Sequence, residues 1–120
     1  MTTTSKGHEG EDKAAAYLEK DGCRIIARNY RACGGELDIV AWEGNVLVFV
    51  EVKARDHMTH RQTIRAVTPA KQRKIAMAAT QFIKEKGLKY DSIRFDVICV
   101  LQGVNIFHLT RAFFPYRTTL

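Results

Sequence analysis

Four side chains could do chemistry together if the fold brings them to one place: Glu11, Asp38, Glu51 and Lys53. Asp38 and Glu51 interrupt apolar runs, with Ile39 and Val40 following the first and Val48 to Val50 preceding the second. Two carboxylates in half-buried surroundings do not both stay ionised unaided. One takes up a proton, or a cation stands between them. A hard divalent ion held by oxygen ligands is the simplest such cation. Lys53, two residues past Glu51, adds a positive group on the same strand face.

These residues meet only if their strands pair in the right register. Glu36 to Trp42 and Val46 to Lys53 read as strands, being rich in Val, Ile and aromatics. Gly44-Asn45 between them suits a two-residue hairpin turn. With that loop, Glu43 pairs with Val46, and counting outward sets Asp38 against Glu51 and Glu36 against Lys53. Alternation then projects all four from one face of the sheet. Directly opposed Cβ atoms lie roughly 4.5–5.5 Å apart, and like charges at that spacing destabilise the pair. A Glu36–Lys53 ion pair would explain part of this arrangement but leaves Asp38 facing Glu51. Glu36 is therefore either the partner of Lys53 or a structural residue.

The remaining elements frame this hairpin. A helical segment runs from about Glu9 to Asp21, capped by Thr4 or Ser5 and stopped by Gly22. Ala14, Ala15 and Leu18 form its apolar face, and helical spacing carries that stripe back to Glu11. Cys23 to Tyr30 is a further strand. Past a basic loop, Thr68-Pro69 opens a second helix that ends at Gly87, with Ile75, Ala79, Phe82 and Ile83 facing the core. Ile93 to Leu101 and Val104 to Leu109 form a second hairpin turning at Gln102-Gly103. The order is α-β-β-β-α-β-β, an α/β fold with a mixed five-stranded sheet flanked by helices.

Length and charge bound the function. At 120 residues the chain is one domain, 1–120, and 46% hydrophobic residues suffice for a core. Net charge is +6, and between Lys53 and Lys74 seven bases (Lys53, Arg55, Arg61, Arg65, Lys71, Arg73, Lys74) face Asp56 as the only acid. Such a stretch favours a polyanion, with nucleic acid ahead of a merely solvated face. Residues Met1 to Lys13 hold no apolar run of the signal-peptide kind, and no segment approaches the roughly 20 apolar residues that span a bilayer. Cys23, Cys33 and Cys99 are an odd set without metal-ligand spacing, which fits reduced thiols in the cytoplasm.

The motifs Gly10-Glu11, Asn29-Tyr30-Arg31, Gly34-Gly35-Glu36-Leu37-Asp38-Ile39-Val40 and Val48-Phe49-Val50-Glu51-Val52-Lys53 resemble those of the small bacterial YraN-like family. The likeness extends through Lys71 to Ile75 and Arg94-Phe95-Asp96-Val97-Ile98, and so covers nearly the whole chain. Asp38 followed by Glu51-Val52-Lys53 also looks like the PD-(D/E)XK motif of restriction-endonuclease-like nucleases, among them Holliday-junction resolvases. Leu37 stands in place of the motif's proline, and residues 56–62 lack the Phe-Gly common in the family's loop.

The resemblance implies a restriction-endonuclease-like core and a DNA endonuclease acting on branched or damaged DNA. It implies Mg²⁺ or Mn²⁺ held by Asp38, Glu51 and the Val52 carbonyl, with Lys53 orienting water or stabilising the transition state. Glu11 would bind a second ion or a metal-bound water, and resolution of a junction would call for a homodimer. Arg55, Arg61, Arg65, Lys71 and Lys74 are the expected nucleic-acid contacts. A nucleic-acid-binding module without catalysis is the alternative. Asp96 reads as a hydrogen-bonded structural acid, His57 and His60 as solvated loop residues, and Tyr17, Phe82 and Phe95 as core. Trp42 and Phe113-Phe114 fit either core or a dimer contact.

Overall fold

The computed structural model describes residues 3–114, with side chains from His8 onward. Its elements are α1 (Thr3–Lys20), β1 (Arg24–Ala32), β2 (Gly35–Glu43), β3 (Val46–Arg55), α2 (His60–Arg65), α3 (Pro69–Lys86), β4 (Ser92–Leu101) and β5 (Asn105–Leu109). The strands lie in the order β1-β2-β3-β4-β5, all antiparallel except for the parallel β3–β4 pair. A parallel neighbour requires a crossover, which α2 and α3 supply. The α/β class and the mixed five-stranded sheet flanked by helices agree with the sequence reading. The short α2 was not anticipated.

Both faces of the sheet are covered, which explains why β3 and β4 are apolar almost throughout. Leu47 and Phe49 of β3 join Phe82 and Ile75 of α3, Phe95 and Phe113 in one cluster. Val48 and Val50 join Ala14, Ala15 and Leu18 of α1, Ile98 and Val100 in the other. Phe113 is thus core, stacked 5.3 Å from Phe95, while Phe114 is exposed and Trp42 is partly buried against the α3 side. The expected core aromatics Phe82 and Phe95 are buried, and Tyr17 packs partly buried beneath α1.

Local signals account for most element ends. Thr68 caps α3 by accepting from the Lys71 N–H, Pro69 follows it, and Gly87 closes the helix at a left-handed φ of 60°. The hairpin between β2 and β3 is the two-residue turn read from Gly44-Asn45: Glu43 pairs with Val46, and Gly44 takes φ 58°. The β4–β5 turn is one residue longer than expected. Leu101 pairs with Asn105, so Val104 belongs to the loop, where it is exposed. Helix α1 begins at Thr3, before the expected caps Thr4 and Ser5, whose side chains lie outside the described residues.

Candidate active site

The predicted register holds from Glu43–Val46 to Ile39–Val50, and there the ladder between β2 and β3 stops. One step farther, Asp38 and Glu51 flank the opening between the two strands. The Asp38 carboxylate takes over from the missing ladder: its Oδ2 accepts from the Val52 N–H at 2.8 Å. In an extended strand a residue's N–H and C=O leave on the same edge. The Val52 carbonyl therefore also faces this opening.

Electrostatics mark the spot. Burial, and after it the charge of Glu51, pushes the Asp38 carboxyl up to about 7, with the Val52 N–H pulling the other way. Glu11 arrives from α1, whose close approach is set by Gly10: a Cβ there would lie 3.1 Å from Ala54 Cβ. Burial and the nearby Asp38 raise the Glu11 carboxyl, and Arg28 and Asn29 offset this in part. Arg28 stands 3.9 Å from Glu11 Oε1 but spends its hydrogen bond on Asp12, at 2.7 Å. Glu11 Oε1 is buried without any hydrogen-bond partner. Such an orphan is uncommon and calls for an explanation.

Lys53 is 8% exposed, and its Nζ lies 3.4 Å from Glu51 Oε1. Burial, together with Lys71 beside it, lowers its ammonium from the ordinary lysine value, and Glu51 acts against both. Glu36 is not its partner. It pairs instead with Arg31 across the β1–β2 ladder, Oε2 to Nε 3.4 Å. The expected continuation to Glu36–Lys53 fails because β2 and β3 have already separated at Asp38.

Asp38 and Glu51 sit in a groove of about 670 Å³, lined also by Arg31, Gly35, Lys71 and Lys74. Gly35 makes this groove: a Cβ there would come within 2.6 Å of the Lys74 carbonyl oxygen, so only glycine lets β2 start against α3. Of the five expected nucleic-acid contacts, the groove gathers Lys71 and Lys74. Arg55 lines a different hollow with Glu9 and Lys13, and Arg61 and Arg65 are exposed on α2. His57 and His60 are exposed as expected, and His60 opens α2.

Arg31 joins the groove without being among the expected site residues; its signals in the sequence are its place in the Asn29-Tyr30-Arg31 motif and beside the Gly34-Gly35 turn. Helix α2 had a plainer signal, Thr59-x-x-Gln62, whose side chains form a reciprocal capping box. Among the described residues, no three His, Cys, Asp or Glu side chains gather closely enough to form a metal-binding group by themselves. No helix among them is long and apolar enough to cross a membrane.

The profile of Uncharacterised protein family UPF0102 matches residues 10–100, a span that includes every acid of this site and Lys53. The chain belongs to this family. It is 49% identical over 111 residues to a UPF0102 protein of Geobacter sulfurreducens, covering 89% of this chain and 87% of that one. A UPF0102 protein of Sulfurihydrogenibium sp. is 45% identical over 113 residues, 94% of this chain and 97% of its own. Among solved structures, Pyrococcus furiosus SfsA in complex with Ca²⁺ aligns at a TM-score of 0.30 and 18% identity. That alignment covers 90% of this chain and 63% of SfsA, too slight a likeness to carry a fold assignment.

Proposed function

We propose that this UPF0102 protein is a divalent-metal-dependent DNA endonuclease on a restriction-endonuclease-like core, hydrolysing phosphodiester bonds in branched or damaged DNA. One observation carries the reading. Asp38 and Glu51 repel each other at the point where two strands part, while a third carboxylate, Glu11, keeps a buried oxygen without a partner. A divalent ion would relieve the repulsion of the pair and give the Glu11 oxygen a partner.

The donor set suits Mg²⁺ or Mn²⁺, since both prefer oxygen ligands and share their coordination with water. Asp38, Glu51 and the Val52 carbonyl would hold the ion, and Glu11 would hold a second ion or a water bound to the first. When bound, the ion would supply an acidified water and charge neutralisation at the phosphate. The chain's own groups would do the rest. Lys71 and Lys74, on one wall of the groove, would draw the DNA backbone in, and Arg31 would meet it from the other wall. Lys53, buried beside Glu51, would orient the attacking water or stabilise charge on the phosphate through its ammonium.

A second reading, DNA binding without cleavage, draws on the absence of a ready-made three-residue ligand group among the described residues. A cleavage panel of junction, flap, duplex and single-stranded DNA with Mg²⁺ and Mn²⁺ separates the two. The nuclease reading expects metal-dependent cleavage of at least one substrate. It also expects Asp38→Asn, Glu51→Gln and Lys53→Ala to lose at least about a hundredfold in rate, several kcal/mol of transition-state stabilisation, while still binding DNA. A wild type that binds DNA yet cuts none of the four substrates would leave the binding module standing.

A further inference from the structure

Asp38 is missing from the β1–β2 ladder, and the residue opposite it on the neighbouring strand has an unusual backbone. Between β1 and β2 the pairs Arg28–Ile39 and Tyr30–Leu37 are both formed at a constant count, yet the pair between them, Asn29 with Asp38, is missing. Asn29 has φ 54°, a left-handed backbone in the middle of a strand. That turn rotates the peptide groups away from hydrogen-bonding positions and breaks the alternation of faces. Ala27 and Tyr30, three residues apart, contact the same core cluster, and so do Leu37 and Val40, while Ile39 packs in the opposite cluster. Strict alternation would put residues three apart on opposite faces. Both strands therefore slip by one position at Asn29 and Asp38.

We infer that Asn29 is a positioning residue: its left-handed backbone withdraws Asp38 from the β1–β2 ladder and so delivers the Asp38 carboxylate to the opening of β2 and β3, onto the Val52 N–H. Asn is among the few side chains that tolerate this conformation, and β-branched residues are the least suited to it. A strand residue of ordinary φ would close the ladder, restore alternation and return Asp38 to a face of the sheet. Asn29 touches no substrate in this account; it acts through Asp38. The inference rests on the proposed role of Asp38 for its functional meaning, but its geometry can be tested without metal or DNA.

The test is amide hydrogen exchange by NMR in metal-free wild type, Asn29→Val and Asn29→Gly. The Val52 amide is read against those of Val48 and Val50 on the same strand, which report loss of overall stability. Glycine keeps the left-handed φ and valine disfavours it, so Asn29→Gly is the rescue. In Asn29→Val the Val52 amide is expected to exchange about tenfold faster relative to Val48 and Val50. In Asn29→Gly the ratio stays within about twofold of wild type. Should Asn29→Val fail to fold, Asn29→Ala carries the same expectation at smaller amplitude. An unchanged ratio in the folded valine or alanine variant overturns the inference. So does an equal rise in Asn29→Gly. Failure of the cleavage panel, by contrast, would remove the nuclease reading and leave this result as it stands.

Discussion

Two aspartates of the same sheet, Asp96 fully buried and Asp38 half-buried, have opposite fates. Asp96 on β4 is fully buried, yet each of its oxygens is engaged: Arg94 Nε donates to both, the Arg111 N–H to Oδ1 at 3.0 Å, and His108 Nε2 to Oδ2 at 2.7 Å. Burial acts to raise its carboxyl, but the bonds from His108, Arg94 and the Arg111 N–H win, and it is held below the ordinary carboxylate value. Arg94 is anchored in turn by Glu43 at 3.0 Å, and the other nitrogen of His108 lies 3.0 Å from the Tyr17 hydroxyl. Asp38 has one backbone donor and a carboxylate neighbour, and its carboxyl rises to about 7. A buried acid with all its partners present is a fastener. A half-buried acid with one backbone donor, pressed against another acid, keeps its proton instead.

The largest expected effect breaks the fastener. Asp96→Ala strands Arg94 and His108 and should cost about 3–5 kcal/mol in urea unfolding, as removal of one member of a buried ion pair does. A loss below about 1 kcal/mol would show that the network is not holding β4, β5 and the Arg111 backbone together. Next, Gly35→Ala puts a Cβ against the Lys74 carbonyl oxygen, 2.6 Å away, and should cost about 1–3 kcal/mol while widening the groove and weakening DNA binding. Wild-type stability and affinity in that variant would mean that the β1–β2 turn is not seated on α3 as described.

Asp38→Asn should run in the opposite sense to Asp96→Ala. An unfolded aspartate releases its proton near ~3.9, whereas folded Asp38 keeps it up to about 7. The metal-free fold therefore has its full stability from Asp38 below about pH 4 and loses it progressively as pH rises through 7. At pH 8 the asparagine variant should be more stable than wild type by on the order of 1–2 kcal/mol after solvent screening, with no difference near pH 4. Thermal melts across that range read the effect, and a variant less stable at pH 8 would contradict it. The smallest effects lie in the groove walls. Lys71→Ala and Lys74→Ala should each lower the salt slope of DNA binding by about one, while Arg61→Ala and Arg65→Ala, outside the groove, leave it unchanged.

Much of this site was legible because a two-residue turn makes a ruler. From Gly44-Asn45 the count reaches Asp38 and Glu51 with no other information, and it is correct as far as Ile39–Val50. It fails from the next pair, Asp38 with Glu51, and so also at Glu36 with Lys53. The count assumes an unbroken ladder, whereas β2 leaves regular pairing at Asp38, opposite the left-handed Asn29. A single asparagine in an ordinary strand pattern gives no warning of its φ. Glu11 was legible from helical spacing, since Ala14, Ala15 and Leu18 are indeed buried beneath α1. Lys71 and Lys74 could not be separated from Arg55, Arg61 and Arg65 on charge alone. Only the docking of α3 against Gly35 distinguishes them, and that is a tertiary fact.

If Asp38 and Glu51 form a mutually repelling pair that a divalent ion relieves, the metal-free protein must bind such an ion. Calorimetric titration of the metal-free protein with Mn²⁺ at pH 6.5 tests it most directly. The account predicts saturable binding accompanied by proton release, because Asp38 is still largely protonated at that pH, with binding abolished in both Asp38→Asn and Glu51→Gln. No saturable binding by wild type, or binding that survives both substitutions, would contradict it.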